Sequence, residues 1–182
     1  MIADARPRLE AMKRPVRSKV LLNGFSASGL FANRFTLLHP HAVAAAAFGG
    51  INGFITLSVA ELKSRPLNFP VGVADLEKIT GHPFDRPAYQ VIPQFGYMGA
   101  EETNDALIYP DAYSEEERAL IFDLLGRTMM PDRWEAVQAV YETQKLPVQF
   151  KTYPGIGHGT DGRINKEVTE FFRGVIEKNS PQ

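Results

Sequence analysis

Apolar positions along this chain fall into two patterns, short unbroken runs and longer stretches with helical spacing. The runs "SKVLLNGF", "HAVAAAAFGG", "AYQVIPQFGYMG" and "PVQFKTY" read as strands buried on both faces. The alanine run alone would favour helix. Its place between a helix and a Gly-Gly break makes it a buried parallel strand. Between the runs lie stretches of helical period. Ile2 to Lys13 predicts a helix with Leu9 and Met12 on its inner face. Ser28 to Leu38 places Leu30, Phe31, Phe35, Leu37 and Leu38 at helical spacing, and His39-Pro40 stops it. "SEEERALIFDLLG" opens on Ser114 with Glu117 three residues on, a capping box, and closes on Gly126. "PDRWEAVQAVYETQ" follows with Pro131 in its first turn. "RINKEVTEFFRGVIEK" carries an apolar stripe of Ile164, Val168, Phe171, Phe172 and Val175. Ile51 to Pro87 is irregular and rich in Pro, Gly and Phe, an excursion with one or two short helices.

Strands alternating with helices imply one α/β domain, a mainly parallel sheet with helices on both faces. Chemistry in such sheets gathers at the carboxyl ends of the strands. Composition changes this picture little. The 182 residues suit a single domain spanning residues 1–182, with the excursion at about 51–87 as a lid-like insertion. A formal charge of −1 gives no reason to expect a nucleic-acid or membrane-surface partner. No apolar run is long enough to span a bilayer. The chain has no cysteine, which excludes disulfides, thiolate metal sites and cysteine nucleophiles. "MIADARPRLEAMKRP" lacks an apolar signal core. A cytoplasmic location is the default expectation; a signal segment removed from the sequence is the alternative.

The first candidate for chemistry is "LLNGFSASGLFANRF". A strand ends in Gly-Phe-Ser-Ala-Ser-Gly and a helix starts at once. A serine on such a turn is strained, so the residues two before and two after it must be small. Centred on Ser26, those places hold Gly24 and Ser28. Centred on Ser28, they hold Ser26 and Leu30, and Leu30 would clash. Ser26 is therefore the better nucleophile. The helix N-terminus and the Ala27 N–H can face a developing oxyanion. A plain strand–helix loop is the blander reading of the same residues.

A serine hydroxyl needs a base, and the base an orienting acid. Of the four histidines, His158 lies in "YPGIGHGTDG", after a strand and before the last helix. Gly157 and Gly159 let that loop bend the ring over a site. His39 and His41 flank Pro40 at a helix end, where a surface role fits. His39-x-His41 has the spacing of a metal pair but no indicated third ligand. His82 sits in the excursion, as a structural or rim residue. The acid belongs after the strand ending at Gly99, where "GAEETNDAL" offers Glu101, Glu102 and Asp105. Asp is the commoner triad acid, favouring Asp105; closeness to Gly99 favours Glu102; a solvated acidic loop is the plainer alternative for all three.

Together these residues resemble the α/β-hydrolase superfamily, and within it the small serine esterases. The resemblance runs through the turn at Gly24 to Gly29, the acidic loop at Gly99 to Asp105 and the loop Gly157-His158-Gly159. It implies Ser26 as nucleophile, His158 as general base and acid, Asp105 or Glu102 as orienter, and the Ala27 N–H as half of an oxyanion hole. There are two departures. Ser28 stands where glycine is usual. Several strands and an oxyanion loop precede the turn in that superfamily, whereas one helix and one strand fit before Ser26 here, and no "HGG"-like loop is present. The expected fold is thus a three-layer sandwich, a minimal or N-terminally truncated α/β hydrolase.

The resemblance implies a carboxylesterase-like hydrolase acting on small esters through an acyl-enzyme, with no metal or organic cofactor. A peptidase or thioesterase on the same residues is a variant of that reading. A catalytically weak remnant or subunit, acting by interaction, is the alternative from another class. Phe54, Leu57, Phe69 and Phe84 of the excursion are candidates for an acyl pocket or for core; Tyr97, Met98 and Trp134 share that ambiguity. The strand "KVLLNGF" would have an open edge, with Val20 and Leu22 suited to burial. Self-association as a homodimer or higher oligomer is therefore expected.

Overall fold

The structure is a computed structural model, and it describes residues 2–14 and 16–178. Met1, Pro15 and residues 179–182 lie outside it. Four parallel strands form the sheet: β1 (Val20–Phe25), β2 (Val43–Gly49), β5 (Gln94–Gly99) and β6 (Val148–Tyr153), in the order β1-β2-β5-β6. Helix α2 (Ala27–Leu38) links β1 to β2. The excursion holds a short antiparallel pair, β3 (Glu61–Leu62) with β4 (Arg65–Pro66), and two short helices, α3 (Leu76–Thr80) and α4 (Arg86–Tyr89). Helices α5 (Glu115–Leu125) and α6 (Trp134–Thr143) separate β5 from β6, and α7 (Gly162–Lys178) ends the described chain.

Side chains that alternate along the strands divide the core in two. Ala46 and Phe48 of β2 and Met98 of β5 join the larger cluster, with Ala32 and Leu37 of α2, Ile121 and Leu124 of α5, and Val137 and Tyr141 of α6. Ala47 of β2 and Phe95 and Tyr97 of β5 face the other way, onto Ile164 and Val168 of α7. Helices thus cover both faces, as the alternation of elements implies, and the architecture is a three-layer sandwich. The expected capping box forms: the Glu117 N–H donates to Ser114 Oγ at 3.1 Å and the Ser114 N–H donates to the Glu117 carboxylate at 2.8 Å.

The structure corrects several expectations. Helix α1 (Ile2–Ala11) stops before Met12, which lies in a turn with Lys13 at φ 58°. Met12 is exposed, while Ile2 and Leu9 are half-buried. β5 begins at Gln94 rather than Ala88, because Asp85 caps α4 by accepting from the Ala88 N–H at 3.0 Å. α6 begins at Trp134 after a wide turn at Met129–Arg133, where Met130 is extended as residues before proline usually are. The excursion contributes to the core. Ile51, Phe54, Ile55, Leu57, Leu67 and Leu76 are buried in the larger cluster, and Phe69 and Phe84 pack half-buried against it. β1 is an outer strand of the sheet, so it is not buried throughout: Leu21 and Asn23 are exposed, Val20 and Leu22 half-buried. Among the described residues no strand pairs with its free edge.

Candidate active site

Ser26 stands directly after β1, and Glu102 and His158 in the loops after β5 and β6, at the carboxyl end of one parallel sheet. Ser26 has φ 60°, a left-handed backbone that costs a non-glycine residue energy. Three features hold the turn. The Ser26 N–H donates to the Gly49 carbonyl at 2.9 Å. Ser28 Oγ accepts from the Phe25 N–H at 3.0 Å and donates to the Phe25 carbonyl at 2.7 Å. A Cβ on Gly24 would overlap the Ser28 carbonyl oxygen, so the chain can turn this tightly only with glycine there. Ser28 therefore clamps the turn. Ala27 is the first residue of α2, so its N–H has no acceptor within the helix and lies next to Ser26.

His158 comes over the sheet on the loop after β6. That loop is tied to the loop after β5: the Ala100 N–H donates to the Tyr153 carbonyl and the Glu101 N–H to the Ile156 carbonyl, both at 2.9 Å. Here too the backbones touch, and a Cβ on Gly99 would overlap the Ile156 carbonyl. His158 Nε2 lies 3.0 Å from Ser26 Oγ, and Nδ1 lies 2.7 Å from Glu102 Oε2. The Glu102 side chain is fully buried, whereas that of His158 is 31% exposed. The second Glu102 oxygen accepts the Asn104 N–H at 2.9 Å. The Phe25 ring packs against the imidazole, with centroids 5.0 Å apart. Tyr97, on the next layer, has its hydroxyl pushed above the usual phenol range by burial.

The expected contact of Asp105 with the base is absent. Asp105 turns away and pairs with Arg133, whose side chain is fully buried. Its other oxygen accepts the Leu107 N–H at 3.0 Å. Arg133 also donates to the carbonyls of Gly53, Gly126 and Arg127. Asp105 thus anchors the acid loop to the core, and Glu102 meets the histidine. Glu101 is exposed. His41 lies near the amino end of β2, with Nε2 2.8 Å from Asp85. The Asp85 carboxyl is held below its usual range, first by the Ala88 N–H and then by His41. His39 packs on Phe35, and His82 lines the same groove as His39 and His41. Among the described residues no group of three or more His, Asp or Glu side chains could hold a metal, and no helix is long and apolar enough to cross a membrane.

The residue that sequence reading missed is Asn104. Its carboxamide nitrogen is 3.3 Å from His158 Nε2. A neutral polar side chain in an acidic loop gives no pattern to single it out. The role of Arg133 was hidden likewise, since its partners lie in three separate segments.

A four-stranded parallel sheet between helical layers, with the serine turn after β1, is an α/β-hydrolase fold. Solved structures of that fold superpose on nearly the whole chain. A variant of Arabidopsis thaliana SOBER1 matches with a TM-score of 0.54 and 13% identity, over 96% of this chain and 63% of that one. Esterase PE8 matches with a TM-score of 0.51 and 14% identity, over 96% of this chain and 61% of its own. An S-formylglutathione hydrolase from Agrobacterium tumefaciens matches at 0.51 and 11% identity, over 97% and 55%. The chain thus spans less than two thirds of the length of each. No protein-family model matches the chain, and no curated protein sequence does.

Proposed function

We propose that this chain is a serine hydrolase that cleaves small carboxylic esters through an acyl-enzyme. One observation carries the reading: an unbroken path of short contacts from Ser26 Oγ through His158 to the buried Glu102, at 3.0 and 2.7 Å. Glu102 fixes the imidazole with Nδ1–H towards itself, leaving the Nε2 lone pair for the serine proton. Ser26 Oγ then attacks the ester carbonyl while Nε2 takes its proton. The Ala27 N–H and the positive end of α2 stabilise the oxyanion. Nε2 returns the proton to the leaving alcohol, and a water deprotonated by the same nitrogen releases the acid. Structural neighbours that are esterases and hydrolases support the reading at the level of class. Hydrolysis of a short-chain nitrophenyl ester, lost in Ser26→Ala, tests it, and a series of acyl lengths then defines the substrate.

A weaker activity coupled to association is favoured by one further observation. Among the described residues no strand pairs with the outer edge of β1, beside Ser26, and Leu21 is 39% exposed. Unpaired edges recruit another strand. A second copy pairing there would form a homodimer and bring new backbone N–H groups near the oxyanion side. A single missing oxyanion donor costs about 2.7–4 kcal/mol of transition-state stabilisation. On this second reading the isolated chain is a slow enzyme or an interaction subunit, and its activity rises with protein concentration.

A further inference from the structure

The proposed mechanism leaves the departing alcohol without a partner other than His158. Asn104 lies in the right place to be one. Its side-chain nitrogen is 3.3 Å from Nε2, the ring nitrogen that also faces Ser26 Oγ at 3.0 Å. Its backbone N–H is fixed on Glu102 Oε1 at 2.9 Å. The loop that carries the orienting acid therefore also holds a carboxamide against the far side of the base. Nε2 has one in-plane lone pair, so the serine hydroxyl and the amide share it in the resting site. During acylation the proton on Nε2 passes to the leaving oxygen, which must come within hydrogen-bond reach of Nε2 to receive it. A group already 3.3 Å from that nitrogen can then turn its N–H to the leaving oxygen as well.

Resting on the serine-hydrolase reading, we infer that Asn104 is a leaving-group contact whose Nδ2–H donates a hydrogen bond to the alkoxy oxygen of the ester. In the step concerned the tetrahedral intermediate collapses. The carbon–alkoxy bond breaks, its electron pair goes to the alkoxy oxygen, and that oxygen takes the proton held on Nε2. Asn104 transfers no proton; it stabilises the negative charge that builds before the proton arrives. The help grows with the basicity of the leaving alkoxide, since charge-assisted bonds are the stronger ones. The site is thereby suited to esters of ordinary alkyl alcohols. A nitrophenolate, which disperses its own charge, gains least.

Leaving-group dependence tests this. kcat/KM is measured for an alkyl ester and a nitrophenyl ester of the same acid, in wild type, Asn104→Ala and Asn104→Asp. The expected result is a loss in Asn104→Ala that is roughly 10-fold or more greater for the alkyl ester. Asn104→Asp, which replaces the donor by a negative charge, should lose still more on the alkyl ester. Equal losses on both esters would mean that Asn104 only steadies the His158 ring, and would overturn the inference. So would an Asp variant as good as the Ala variant. Fluorophosphonate labelling of Ser26 in the wild-type chain reports separately on the serine-hydrolase reading, so the two failures are distinguishable.

Discussion

Asp105→Ala should destabilise the chain strongly because of what it leaves behind. The Arg133 side chain is fully buried, and Asp105 is its charge partner. Truncation keeps three carbonyl acceptors for the guanidinium, those of Gly53, Gly126 and Arg127, but no negative charge. Removing one partner of a buried pair costs ~3–5 kcal/mol. The Leu107 N–H loses its cap as well. With a urea slope of about 2 kcal/mol per molar, the unfolding midpoint should fall by about 1.5–2.5 M. Asp105→Asn keeps one neutral acceptor oxygen where the carboxylate offered two, so only one of the two donors stays paired, and the cost should be smaller than in Asp105→Ala, about 1–3 kcal/mol. Urea unfolding followed by tryptophan fluorescence reads both, since Trp134 adjoins Arg133 in sequence. Ester hydrolysis by folded Asp105→Asn should stay within about 10-fold of wild type, because the residue does not touch His158. A variant with an unchanged midpoint and a rate reduced by about 10³-fold or more would refute the reasoning and put Asp105 on the base.

Glu102→Gln should lower kcat by about 10³–10⁴-fold, since a neutral amide stabilises neither the tautomer nor the imidazolium; steady-state kinetics checks it. Ser28→Ala should cost about 1–2 kcal/mol, because both bonds to Phe25 disappear from an exposed turn; chemical denaturation reads it. The Glu167 carboxyl is held below its usual range, first by Lys151 and then by the Tyr153 hydroxyl. Its contribution is therefore present above the ordinary carboxylate range and is lost as pH falls through its lowered folded-state value. Stability profiles of Glu167→Gln should accordingly be flatter on the acid side. Light scattering should show association at micromolar concentration, weakened by Leu21→Lys on the β1 edge; a monomer at all concentrations would contradict that proposal.

Much of this architecture was legible because burial leaves a periodic trace. The alanine run of β2 reads as a strand once its Gly-Gly end and neighbouring helix are weighed against propensity. The serine turn is legible because sterics allow so few residues around it. The exposure along β1 was not legible: its run of apolar residues suggests burial on both faces, whereas Leu21 and Asn23 are exposed. The acid was not decidable. Glu102 and Asp105 sit in one loop, and the outcome depends on Arg133, twenty-eight residues beyond Asp105, arriving from the start of α6 to take the aspartate. The structure of the excursion was hard to read for a related reason. Its glycines and prolines break periodicity, yet Ile55 and Leu57 are as buried as any strand residue. Irregular backbone hides burial from a pattern.

The central claim is that Ser26 is the nucleophile that His158 activates. Covalent labelling with a fluorophosphonate and mapping of the adduct tests it most directly. Trypsin should release the peptide from Val20 to Arg34, which contains both Ser26 and Ser28, and fragmentation assigns the modified residue. The account predicts a single adduct on Ser26, formed far more slowly in His158→Ala. An adduct on Ser28, or a Ser26 that stays unmodified in the folded wild-type chain, would contradict it.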